Sequence, residues 1–95
     1  MKELTEIRAE LDGVDRQIVA LFEQRMQLCR EVAEYKIAAH KPVLDRSREE
    51  QVLASRAALA QDPSLREPVR ALFTELMRLS REEQSRLVKE AEQGC

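Results

Sequence analysis

The sequence has no tryptophan, one tyrosine and two phenylalanines, so aromatics make up 3% of its 95 residues. Aromatic side chains supply the largest single burials in most cores. A core this poor in them is thin for a monomer of such length, and association would help to bury it. Glycine occurs twice and proline three times, which speaks for helix rather than sheet. The two cysteines, Cys29 and Cys95, have neither the spacing of a metal site nor the number of a disulfide framework. Reduced thiols in a cytoplasmic protein are the expectation. No apolar run approaches the roughly 20 residues of a membrane span, and the opening MKELTEIRAE has no secretory hydrophobic segment. Neither sign of charge dominates: the formal net charge is −2. Nothing in that balance recommends nucleic acid or an anionic membrane as a partner.

What is abundant is aliphatic carbon and charge, with 43% hydrophobic and 36% charged residues. The mixture is rich in Ala, Leu, Glu and Arg, all good helix formers or compatible with helix. From Leu4 onward, apolar residues fall at 4, 7, 11, 14, 18 and 21, then at 28, 32 and 35. This alternating step of three and four marks a helical seam that faces other helices. Gly13 costs about 1 kcal/mol relative to alanine, but Leu11, Val14 and Ile18 carry the phase through it. One helix is predicted over about 3–39, ending before Pro42, whose ring disfavours helical geometry at Lys41.

A short second helix is predicted over about 46–60, starting near Asp45 or Ser47. QDPSLRE (61–67) marks a turn, with Asp62 or Ser64 as N-cap and Pro63 in the first turn. A third helix follows over about 65–91, with Leu65, Val69, Leu72, Phe73, Leu76 and Leu87 in its seam. The expected fold is all-α, a single domain over 1–95. A first helix of about 37 residues is roughly 55 Å long, whereas a compact 100-residue domain has a radius of gyration near 13 Å. Two shorter helices cover only part of such a rod. An antiparallel, intertwined homodimer is the expected remedy.

Several polar residues break the seams. The first helix places Arg25 where its heptads want hydrocarbon, and a buried guanidinium must meet an anion. Lys36 lies 11 residues on, about 20° away around the helix, so both project from one face. In the third helix, Ser80 and Gln84 share a face at i, i+4. The second opens with Arg48 and Glu49. An acid there suits a capping box, but arginines at a helix start oppose the macrodipole. Each feature alone has an ordinary structural account: an ion pair, a register-fixing amide, a cap. Together they converge on one interhelical pocket, the usual ligand site of a bundle. Cations dominate it, so a small polyanion with hydrogen-bonding groups is expected. No nucleophile–base pair, glycine-rich phosphate loop or metal spacing is present, and His40 falls in the loop after the first helix. Chemistry at such a pocket proceeds by binding and electrostatics.

IRAELDGVDRQIVALFEQRMQLCREVAEYK (7–36) resembles the first helix of the all-helical chorismate mutases, with its arginines, aspartates and lysine in register. KPVLDRSREEQVL (41–53) is similar to the segment that follows it, and LFTELMRLSREEQ (72–84) to the last, with serine and glutamine four apart. The resemblance spans about Glu3 to Gln84, and no matched position departs from the pattern. It implies conversion of chorismate to prephenate on the route to phenylalanine and tyrosine, without cofactor, metal or covalent intermediate. By resemblance, Arg8 and Arg25 bind the two substrate carboxylates, assisted by Ser80. Lys36 and Gln84 hydrogen-bond the ether oxygen, Asp45 (through its backbone) and Glu49 hold the ring hydroxyl, and Arg48 completes the charged wall. Arg8 precedes Arg25 by 17 residues, roughly 25 Å along the helix and about 100° around it. One small ligand cannot meet both from one helix, so Arg8 is expected from the partner chain, in two shared sites per dimer.

Two other readings share these features. An isochorismate-pyruvate lyase on the same fold also takes a chorismate-like dianion. The set Asp45, Arg48 and Glu49 favours the mutase, because Glu49 suits a hydroxyl at the mutase substrate's position. A non-catalytic helical dimerisation module explains the seams and the charge, but not Arg25, Lys36, Ser80 and Gln84 all interrupting them. The end at Cys95 suggests either a stand-alone form or a domain excised from a fused enzyme, and VKEAEQGC (88–95) reads as a fraying helix end.

Overall fold

The computed structural model describes residues 1–94; the thiol expected at Cys95 lies outside the described residues. Three helices and one short turn make up the fold. They are α1 (Leu4–Ala38), α2 (Arg46–Leu59), a 3-10 turn (Pro63–Leu65) and α3 (Arg66–Gln93). No strand occurs among the described residues. No helix among them is long and apolar enough to cross a membrane.

Local chemistry sets the boundaries. Asp45 caps α2, its Oδ1 accepting from the Arg48 backbone N–H at 3.0 Å. Of the two expected candidates it is Asp45, not Ser47, that takes this role. The third position of α2 is Arg48, so the reciprocal glutamate limb of a capping box is missing. Asp62 accepts from the Ser64 N–H at 2.9 Å and from its hydroxyl at 2.7 Å, with Pro63 in the first turn. That turn feeds straight into α3, which begins one residue later than the periodicity suggests.

The end of α1 has a cause beyond Pro42. His40 sits at φ 55, the left-handed region that glycine usually occupies after a helix. Its N–H donates to the Ile37 carbonyl at 3.3 Å, and the Lys41 N–H reaches back to the Lys36 carbonyl at 2.8 Å. This pair of bonds is a Schellman motif. It reverses the chain so that the Val43 carbonyl accepts from Lys36 Nζ at 2.6 Å.

Both α1 and α2 lie against α3. The Arg25 guanidinium sits 5.8 Å from the Phe73 ring centroid, and Lys36 Nζ is 3.2 Å from Gln84 Oε1. Each pair is 48 residues apart, so α3 runs parallel to the C-terminal half of α1. On that register the first residue of α3 is level with residue 18 of α1. Everything earlier in α1 projects beyond its own chain, and residues 4–21 are exposed save Gly13.

The core is correspondingly small. Ala33, Val52, Ala57 and Met77 are its buried apolar residues, joined by Ser80 and Gln84. The seam expected to be buried in α1 is open: Leu4, Ile7, Leu11, Val14, Ile18, Leu21 and Leu28 are all exposed. Leu65 and Leu72 of α3 are exposed as well. The seam residues are where the period puts them, but no helix of the same chain stands opposite.

Candidate functional site

A cleft of about 560 Å³, counting its open mouth, lies where the three helices meet. From α1 it takes Arg25, Val32 and Lys36, and from the loop after α1 Val43 and Asp45. From α2 come Arg48, Glu49, Val52 and Arg56, and from α3 Met77, Ser80, Arg81 and Gln84. Roomier grooves run along the outer faces, but those gather residues from fewer elements. Seven of the eight residues singled out in the sequence line this one cleft. The eighth, Arg8, is exposed near the start of α1 and does not line it.

The polar groups are chained together. Lys36 Nζ donates to Gln84 Oε1 at 3.2 Å, and Gln84 Nε2 donates to Ser80 Oγ at 2.9 Å. An ammonium has donors only, so the Gln84 amide oxygen must face Lys36 and the amide nitrogen must face Ser80. One Nε2 hydrogen is thereby left for a further acceptor. Val52, Met77, Ser80 and Gln84 are all buried, so this end of the cleft is a buried floor beneath the charged rim. No buried side-chain nitrogen or oxygen among the described residues lacks a partner.

The cations are less fully matched. Arg25 Nη1 lies 3.7 Å from Cys29 Sγ and stacks against Phe73. Arg48 Nη1 donates to Gln51 Oε1 at 2.8 Å, and Arg56 Nη1 to Ser55 Oγ at 2.9 Å. None of these, nor Lys36, forms a salt bridge with a carboxylate among the described residues. The ordinary account of Arg25 and Lys36 as structural ion pairs therefore does not apply within the chain. Five cationic side chains line the cleft against two carboxylates, Asp45 and Glu49, in a chain whose net charge is −2. One Asp45 oxygen, Oδ1, is taken by the cap of α2. A small dianion suits this excess of positive charge.

Sequence reasoning passed over two of the lining arginines, Arg56 and Arg81. Arg81 Nη1 pairs with Glu49 Oε1 across the α2–α3 interface. A signal was present, since Arg81 follows Met77 by four residues and shares its face. In a helix full of arginine and glutamate that signal does not stand out.

The arrangement can therefore hold a small anion rigidly. It can also present uncharged and cationic donors to an oxygen on which negative charge develops. Compared with known families, residues 7–85 match the family described as chorismate mutase type II. No curated protein matches the chain.

Proposed function

The chain belongs to the chorismate mutase type II family, and from that premise we propose that it is an active, cytoplasmic chorismate mutase. It converts chorismate to prephenate by a [3,3] rearrangement, serving phenylalanine and tyrosine biosynthesis, with no cofactor. The observation that supports this reading best is the convergence of Arg25, Lys36, Arg48, Ser80 and Gln84 on one cleft, with no carboxylate partner for Arg25, Lys36 or Arg48 among the described residues.

Chorismate reacts only from a compact conformer in which its side chain folds over the ring. Arg25, with Ser80 beside it, takes one carboxylate, and Arg8 of a second chain takes the other. Fixing both ends holds the reacting carbons in a near-attack geometry. As the ether C–O bond breaks, negative charge grows on its oxygen. Lys36 and the free Nε2 hydrogen of Gln84 meet that charge, in a dry site where no water must first reorganise. Glu49 and the Asp45 backbone hold the ring hydroxyl, and Arg48 closes the charged wall.

A homodimer is part of this reading, because Arg8 cannot reach the cleft of its own chain. The extent of bare surface supports it. The accessible area is 7580 Å², whereas a compact monomer of 11.0 kDa exposes about 5,600 Å². The excess of roughly 2,000 Å² per chain is what an extensive, obligate interface covers.

The deciding experiment follows the loss of chorismate absorbance on adding purified protein, with and without a bicyclic transition-state analogue. Turnover that the analogue inhibits is the expected result. Pyruvate release from isochorismate without prephenate from chorismate points instead to the lyase. A folded dimer inert on both substrates points to a non-catalytic module.

A further inference from the structure

Glu49 poses a problem that its family role leaves open. It is an acid in a cleft that is to receive a dianion, so its charge repels the ligand's carboxylates unless something offsets it. Arg81 stands in the place to do so. Its Nη1 pairs with Glu49 Oε1 across the α2–α3 interface, and both side chains are partly buried at the cleft wall. Glu49 Oε2 carries no hydrogen bond among the described residues.

Resting on the mutase reading above, we propose that Arg81 is a positioning residue of the site. It neutralises Glu49 and clamps one carboxylate oxygen, leaving the other as the single acceptor aimed at the ligand's ring hydroxyl. The clamp matters because a glutamate free to change rotamer would point its charge at the substrate carboxylates as readily as at the hydroxyl. A partly exposed ion pair adds little to stability, so the effect should appear in catalysis rather than in folding. Arg81 thus acts through Glu49 and need not touch the substrate.

A double-mutant cycle on the dimeric protein tests this. Steady-state kinetics on chorismate are measured for wild type, Arg81→Met, Glu49→Gln and the double variant, with thermal melts alongside. Arg81→Met should lower kcat/KM by about tenfold or more, with a rise in KM from the exposed repulsion. In the Glu49→Gln background the same change should cost less than about twofold. Arg81→Lys should restore part of the loss, and Arg81→Gln replaces Arg81→Met if the latter melts early. An equal loss in both backgrounds, or no loss in either, overturns the assignment. A wild type inactive on chorismate overturns the mutase reading and this proposal together, and the two failures are thereby told apart.

Discussion

At the scale of single residues, the amide of Gln84 is oriented by its neighbours: Lys36 can only donate, so the amide must present oxygen on one side and nitrogen on the other. Gln84→Glu removes the donor at neutral pH, because an ionised carboxylate only accepts. The rate should fall about 10²–10³-fold and recover partly as pH drops toward the carboxylate range, a recovery absent in wild type; a flat profile argues against Gln84 as donor. His40 offers a different test. Its left-handed backbone disfavours any side chain bearing a Cβ, so His40→Gly should raise the unfolding free energy by up to about 1 kcal/mol in urea melts. Lower stability in that variant would argue against the strained turn. Neither the left-handed conformation of His40 nor the partner of Arg81 was legible in the sequence. The first is a backbone property that histidine does not advertise. The second depends on how α2 is laid across α3, which periodicity does not report. Arg25, Lys36, Ser80 and Gln84 were legible because each is polar at a position where the period demands hydrocarbon.

At the scale of elements, the helices were readable because a step of three and four leaves few alternatives to helix. Their ends were less so. Proline was a visible stop for α1, yet the hydrogen bonds that end it form just before it, at His40 and Lys41. The turn into α3 and the helix itself hold carboxylates that make the fold sensitive to acid. Hydrogen bonds from Ser64 hold the Asp62 carboxyl below its usual range. Arg78 does the same for Glu75, and Arg86, helped by Arg30 of α1, for Glu83. Each of these groups holds its proton more weakly when folded than when unfolded. Their stabilisation is present above the unfolded carboxylate range and is lost as pH falls through the lower, folded values. Melting followed by circular dichroism should therefore show a lower Tm at about pH 3 than at pH 7. The part owed to the exposed Glu75–Arg78 pair should shrink in high salt. A pH-independent Tm would mean that these pairs contribute nothing.

At the scale of the whole molecule, the radius of gyration of 17.1 Å exceeds the roughly 12 Å of a compact chain of this length. The extents of 60 × 26 × 14 Å describe a rod with one bare end. The proposed dimer should sediment at about twice the chain mass, and Ile18→Asp, which charges the exposed stripe, should leave little folded protein. Co-refolding an Arg8→Ala chain with an Arg25→Ala chain makes a sharper test. Half of the dimers are then mixed, and one of the two sites in each is intact, so about a quarter of wild-type activity should return. No recovery would count heavily against shared sites. The projecting half of α1 has one more consequence. Its leucines and isoleucines are exposed in the single chain, so with the proposed dimer as the folded species, folding should be second order in protein. Diluted below the proposed dimer's dissociation constant, each chain should become a protease substrate, with Arg16 an exposed tryptic position in the bare segment. The proposed dimer would thus tie the protein's lifetime to its own abundance: a dilute pool should be cleared and a concentrated one should protect itself.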